Sequence, residues 1–263
     1  MEIIEMGPHD WSFTEFRRSQ DAEEAFEVAL DMLDPGGYEL AEAAFKNIIL
    51  ENLEDIEAYH HLAILYGSTN RDLEAYLCCK EAVNVGLNAL PEKFDWKKAQ
   101  LNWYVHENRP FLRAYQALGL WYERMGKSEQ AIEIYSRMLS VCPNDNLGIR
   151  YLLPRLWFEK GDYLSVVRLC KEHEDDLSPE ISYSYPLALA LMGEPAKATK
   201  LFTVAEAEMP LVAKELRKKR HPKPKGGMPG YISFGGHDQA YAYWQEYGHL
   251  WAKHSEAQML LAK

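Results

Sequence analysis

Cysteine is scarce: Cys78, Cys79, Cys142 and Cys170 are the only four in 263 residues. Two of them are adjacent and no CxxC pair exists. Neither a disulfide framework nor a zinc site is offered, and the thiols are expected to be reduced and buried. Long apolar runs are also missing. No stretch approaches the roughly 18 uncharged apolar residues of a membrane span. The first eleven residues carry Glu2, Glu5, Pro8 and Asp10, where a secretory signal needs a basic start and an apolar run. The expectation is a soluble, cytoplasmic chain that makes no membrane contact. Catalytic signatures are absent as well: no GxxxxGK(S/T), no GxGxxG, no HExxH and no GxSxG. Gly226, Gly227 and Gly230 lack a strand–loop–helix context, so they make a weak phosphate cradle. The nine histidines are scattered. His60 and His61 are neighbours that point apart on a helix, and His249 and His254 are badly spaced for one metal. No enzyme, no cofactor and no metal site is expected.

What is present is apolar and aromatic. Hydrophobic residues make up 47% of the chain and aromatic residues 12%, enough to bury a substantial core and to argue against disorder. The net charge is −11, unevenly spread. Residues 1–60 are strongly acidic, with Arg17, Arg18 and Lys46 as their only cations. Lys214, Arg217, Lys218, Lys219, Arg220, Lys223 and Lys225 stand against Glu215 alone in residues 211–225. Such runs are ordinarily solvated faces, but they also steer charged partners.

Internal repetition is the strongest signal. The clearest unit begins at Leu112 and reads LRAYQALGLWYERMGKSEQAIEIYSRMLSVCPND. Taking Leu112 as position one, Tyr115, Leu118, Gly119 and Tyr122 stand at four, seven, eight and eleven. Together they form one apolar face of a first helix. Ala131, Tyr135 and Met138 at twenty, twenty-four and twenty-seven form the face of a second. The small residues at eight and twenty allow a close helix approach. Gly126 suits a left-handed helix end and Pro143 stops the second helix. The same grid fits from Ala22 and from Ile56, 34 residues apart. It fits again from Pro179, and in degenerate form from Leu147, where Pro154 replaces the small residue. An additional segment near 87–111 carries Phe94, Trp96, Trp103 and Tyr104. These aromatics are expected to pack against neighbouring repeats, the alternative being an aromatic lip on a binding surface.

This pattern is that of the tetratricopeptide repeat. The chain resembles that family over residues 21–210, with repeats near 22–55, 56–86, 112–145, 147–178 and 179–210. The expected fold is all-α: a right-handed α-solenoid of about five helical hairpins with a C-terminal capping helix. Residues 1–20 form a separate N-terminal segment, and residues 211–263 a basic loop followed by the cap. Within 220–237 the sequence RHPKPKGGMPGYISFGGH reads as a loop. In the last helix Asp238 is a plausible cap, and Ala240, Trp244, Tyr247 and Trp251 form one stripe suited to closing the final repeat. The segment NWYVHENRPFLRAYQALGLWYERMGKSEQAIEIYSRMLSVCPNDNLGIRYLL, with the later PGYISFGGHDQAYAYW, resembles an uncharacterised bacterial and archaeal tetratricopeptide group. It is more distantly similar to the suppressor of tumorigenicity seven family.

The resemblance implies where a partner binds, because first-helix positions two, five, nine, twelve and thirteen line the concave face. Here they include His60 and Ile64, then Arg113, Gln116, Leu120 and Arg124. Tyr151, Arg155 and Phe158 follow, then Tyr183 and Leu187. Cations and aromatics together suit a peptide or helix with acidic character, so a non-catalytic protein-binding scaffold is expected. Phe26 and Leu30 stand where a chaperone-tail clamp needs its first Lys and Asn, which excludes that ligand for the first three repeats. Nucleic-acid or phosphate binding through 214–225, with Tyr231 and Phe234 stacking, is the alternative, though the net charge argues against it. A third reading is an accessory subunit of an enzyme. Asn108, Arg109, Asn144, Asp145, Asn146 and Arg150 read as helix-end capping and pairing residues. Self-association stays open, as does a groove filled by Trp11, Phe13 and Phe16.

Overall fold

The computed structural model describes residues 1–34, 36–225 and 230–262. Gly226, Gly227 and the Pro229 that opens the C-terminal motif lie outside them. The chain forms two compact units, Met1–Ile149 and Arg150–Lys263.

The first unit opens with an antiparallel pair, β1 (Ile3–Gly7) and β2 (Asp10–Phe13), in which Ile3 faces Phe13 and a bulge separates Glu5 from Gly7. Helices follow in hairpins. α1 (Gln20–Asp31) and α2 (Tyr38–Glu51) make the first. Ser19 caps α1 by accepting the Ala22 amide at 3.2 Å. α3 (Ile56–Ser68) and α4 (Asp72–Ala89) make the second. Asp55 caps α3 by accepting the Ala58 amide at 3.0 Å. α5 (Arg109–Arg124) and α6 (Ser128–Val141) make the third.

The repeat grid explains this packing. Ala29, Ala41, Ala75 and Ala131, at the small positions, are fully buried. A Cβ added to Gly119 would lie 2.4 Å from the Tyr135 ring, so the α5–α6 crossing depends on its absence. Gly126 takes φ +68° immediately beyond α5, a conformation glycine adopts without the Cβ penalty. α6 stops at Val141, ahead of Pro143. Phe26, Phe45, Ile48, Leu62, Leu65 and Tyr66 form the core of the first two hairpins. Each such side chain contributes about 1.5–3 kcal/mol on burial.

The segment between α4 and α5 closes around the strand pair. Trp11 packs on Phe94 with ring centroids 5.6 Å apart, and Phe13 on Phe111 at 5.2 Å. Buried Asn108 joins the two. Its Oδ1 accepts the Phe13 amide at 3.0 Å, and its Nδ2 donates to the Trp11 carbonyl at 3.1 Å. Trp96 packs on Tyr115 and Trp103 lies under Arg109. Of the segment's four expected packing aromatics, Tyr104 stays exposed. Trp11 thus seats against this segment and Phe13 against Phe111 in the first turn of α5.

The second unit has shorter hairpins. α7 (Leu153–Lys160) pairs with α8 (Tyr163–Glu172). α7 starts at Leu153 because Pro154, which has no amide hydrogen, is tolerated in a first turn and not inside a helix. The next first helix is split into α9 (Pro179–Ser182) and α10 (Ser184–Leu191). Pro186 cannot donate to the Ser182 carbonyl, so the ladder breaks between them. α11 (Pro195–Glu208) completes that hairpin, and α12 (Pro210–Leu216), α13 (His237–Lys253) and α14 (Ser255–Leu261) follow.

α13 binds back onto this unit through aromatic residues. Tyr243 lies 5.8 Å from Tyr183 and Trp251 5.8 Å from Phe202, while Tyr243 stacks on Tyr247 at 4.6 Å. The Trp251 indole donates to the Tyr243 hydroxyl at 3.1 Å. The buried stripe is Ala240, Tyr243, Tyr247 and Trp251. Trp244, expected in it, is half-exposed and stacks on His221 at 3.8 Å. Asp238 does not cap α13: Gly236 takes the cap position, and the Asp238 carboxylate accepts the Ser233 amide at 2.7 Å. No helix among the described residues is long and apolar enough to cross a membrane.

Candidate partner-binding surface

In the first unit, α3 and α5 are the first helices of successive hairpins and pack together. Their shared face carries His60, Ile64, Arg113, Gln116, Leu120 and Arg124. Ile64 and Leu120 keep 46% and 40% of their surface in solvent, and polar groups surround them. The Arg113 guanidinium pairs with Glu57. Gln116 donates to the Leu147 carbonyl at 3.0 Å. Arg124 lies over the Trp121 ring at 4.4 Å and 3.5 Å from Asp72. The face therefore offers two apolar anchors among guanidinium groups whose carboxylate partners are themselves partly exposed.

Beneath it lies a buried polar layer. Arg18 grips Asp55 with two hydrogen bonds, 2.6 and 3.0 Å, and reaches 3.7 Å from Glu57. Its guanidinium also lies over the Phe26 ring at 3.7 Å, so the position that a chaperone clamp would give to Lys is an aromatic floor. Glu57 connects Arg18 to Arg113. The position rule that selects Arg113 also covers Glu57 at position two of its repeat, whereas nothing local in the sequence pairs Arg18 with Asp55.

His60 is buried, and its ring lies 5.6 Å from that of His61. Neither Nδ1 has a partner among the described residues. Burial, with the nearby cations adding to it, pushes His60 down to about 3 and His61 to about 4. Both rings are neutral near pH 7, and His60 supports the face from below instead of contacting a ligand.

The second unit places its expected residues differently. Tyr151 donates to Asp176 at 2.8 Å, and Arg155 pairs with Glu159 at 2.9 Å. Burial and the Asp176 hydrogen bond push the Tyr151 phenol up to about 12. Phe158, Tyr183 and Leu187 are buried and act as core residues. Phe158 meets Tyr247 edge-on at 6.4 Å and Tyr183 meets Tyr243. Phe158 and Tyr183, which the repeat pattern assigned to a ligand surface, are covered here by α13 of the same unit.

The basic segment is exposed. Lys218 pairs with Glu215, and Arg217 with Glu206. Lys214, Lys219, Arg220, Lys223 and Lys225 have no ion pair among the described residues. Tyr231, Ile232 and Phe234 are exposed beyond them. The polar helix-end residues serve the connections: Asp145 accepts the Ile149 amide at 2.6 Å, Arg109 donates to the Trp103 carbonyl at 2.8 Å, and Arg150 pairs with Asp176 at 2.7 Å. All four cysteines are free thiols, and burial pushes Cys79 up to about 12.

Solved structures share the fold. A tetratricopeptide repeat protein from Parabacteroides merdae superposes with a TM-score of 0.54 at 16% identity, over 73% of this chain and 68% of its own. MamA gives 0.51 at 17% identity, over 76% of this chain and 100% of its own. The Naa15/Naa10 assembly bound to HypK-THB gives 0.50 at 15% identity, over 75% of this chain and 27% of the matched one. At these identities the likeness shows the fold alone: all-α hairpins of the tetratricopeptide solenoid class. No curated protein matches the sequence. The family profile that does match is the one described as "Transcriptional repressor TCF25", over residues 75–258. That description does not name the suppressor of tumorigenicity seven family. Because the match runs from within α4 into α14, about seven-tenths of the sequence, the chain belongs to the TCF25 family.

Proposed function

We propose that this protein is a non-catalytic scaffold that holds a peptide or helix of another protein on the α3–α5 face of its first unit. The observation that carries this reading is the pair Ile64 and Leu120, large apolar side chains left exposed between Arg113 and Arg124. Burying the exposed remainder of both would contribute about 1–3 kcal/mol before the cost of association. The guanidinium groups select acidic residues beside the partner's apolar contacts. A role in transcriptional repression, which the family's description names, would then be exercised through that partner. The test is affinity capture with wild type, an Ile64→Asp/Leu120→Asp variant and a Leu73→Asp/Leu77→Asp control, whose residues are exposed on α4. A protein held by wild type and control but lost from the first variant supports the reading. The same proteins held by all three would refute it.

One observation favours a second reading. Lys223 and Lys225, without ion pairs among the described residues, line one surface hollow with exposed Tyr231, a combination suited to single-stranded nucleic acid. Binding of a single-stranded RNA that weakens steeply with salt, and is lost on Lys219→Glu/Lys223→Glu, would establish it.

A further inference from the structure

The first hairpin has an uncovered edge. Position seven of the repeat is Leu62 in the second hairpin and Leu118 in the third, exposed by 4% and 5%. In the first hairpin it is Val28, exposed by 51%. The difference follows from repeat geometry, since each inner hairpin buries this position against its neighbours and, among the described residues, the first hairpin packs against another hairpin on one side only. A terminal repeat is kept soluble by a polar outer face, but this one is apolar at its centre. Position nineteen is Glu74 and Gln130 in the later hairpins and Leu40 here, 62% exposed. Val28, Met32, Leu40 and Ala44 line a surface hollow of about 440 Å³ between α1 and α2, with Asp21 and Glu24 on its rim.

The charge around the hollow has one sign. α1 contains Asp21, Glu23, Glu24, Glu27 and Asp31 and no cation, and neither α1 nor α2 has a basic residue in its last turn. Asp31 therefore sits at the negative end of the α1 dipole, where an anion is unfavourable and a cation is favoured. Two copies meeting edge to edge would bring two such acidic helices together. We infer that this edge docks a basic amphipathic helix of a protein partner, laid where the second helix of a preceding hairpin would lie, with its apolar stripe in the hollow and its Lys or Arg residues against Asp21, Glu24 and the C-terminus of α1. The surface is distinct from the α3–α5 face.

The test uses the full chain and a labelled Leu/Lys helix of about 18 residues, apolar at i, i+3, i+4 and i+7, followed by fluorescence anisotropy at physiological ionic strength. The control probe carries Glu in place of Lys. Val28→Asp/Leu40→Asp and Asp21→Lys/Glu24→Lys are each expected to raise the Kd of the Leu/Lys helix about tenfold or more. Leu73→Asp/Leu77→Asp and Ile64→Asp/Leu120→Asp should leave it unchanged. The last variant separates this edge from the face proposed above. Equal binding to every variant, or equal binding of the Leu/Glu probe, overturns the inference. So does a dimer of the wild type, seen by sedimentation, that Val28→Asp/Leu40→Asp dissociates, because the occupant is then a second copy.

Discussion

Lowering the pH from about 7.5 to about 5.5 should destabilise the first unit through His60 and His61. Their folded values, about 3 and about 4, lie below the ordinary 6.5 because burial disfavours the charged ring. A depressed folded value means that the unfolded chain binds the proton first. Stability is complete above the unfolded value, falls as pH drops through 6.5, and stops falling only near the folded values. Between pH 7.5 and 5.5 each unfolded histidine goes from largely neutral to largely charged, while the folded rings stay neutral. The loss is about 1.4 kcal/mol for each ring, and about 2–3 kcal/mol for the pair. The assay is urea unfolding of wild type and His60→Gln/His61→Gln at both pH values. The difference between the two proteins in their pH-induced change isolates the imidazoles from every other titrating group. If that difference is below about 0.5 kcal/mol, the rings are not held neutral by their environment.

Three further outcomes follow from the geometry. Tyr183→Phe keeps the ring but removes a hydroxyl that donates to the Met209 carbonyl at 2.8 Å and accepts the Ala213 amide at 3.2 Å. It should cost about 1–3 kcal/mol in urea unfolding, while Tyr185→Phe costs less than about 0.5 kcal/mol. Burial pushes Glu180 up to about 7, so its carboxyl destabilises the folded state increasingly as pH rises from 4.5 through 7. Glu180→Gln should therefore gain about 2–3 kcal/mol at pH 8 and little at pH 4.5, measured by the same unfolding. Gly119→Val places a branched side chain where even a Cβ lies 2.4 Å from Tyr135, and thermal unfolding should show a loss of about 2 kcal/mol or more.

The periodic features were legible because they are local. Gly126 at a left-handed helix end, Gly119 under Tyr135 and alanine at the other close approaches follow from a helix period and a fixed loop length. Pro154 and Pro186 show the limit of the same reasoning. The grid placed apolar residues correctly around them, but the missing amide hydrogens shortened α7 and split α9 from α10. On the candidate face, Ile64, Leu120 and Arg113 came from the position rule. The fate of Phe158 and Tyr183 did not, because α13 reaches them from more than 50 residues later in the chain. In the stripe of α13, Tyr243 and Trp244 are adjacent aromatics. Which of them turns inward depends on the position of Tyr183, and periodicity carries no such information.

The sequence by itself determined the class of fold, the spacing of the hairpins and the small residues at their crossings, since each depends on backbone hydrogen bonding and on side chains three or four residues apart. Tertiary structure decided which first-helix faces stay open. Exposure is set by whatever else lies against a helix, and here α13 packs on Phe158 and Tyr183, whereas Val28 on α1 stays half-exposed among the described residues. An open face and a covered one can carry the same apolar pattern, so burial against distant elements distinguishes a binding surface from a core.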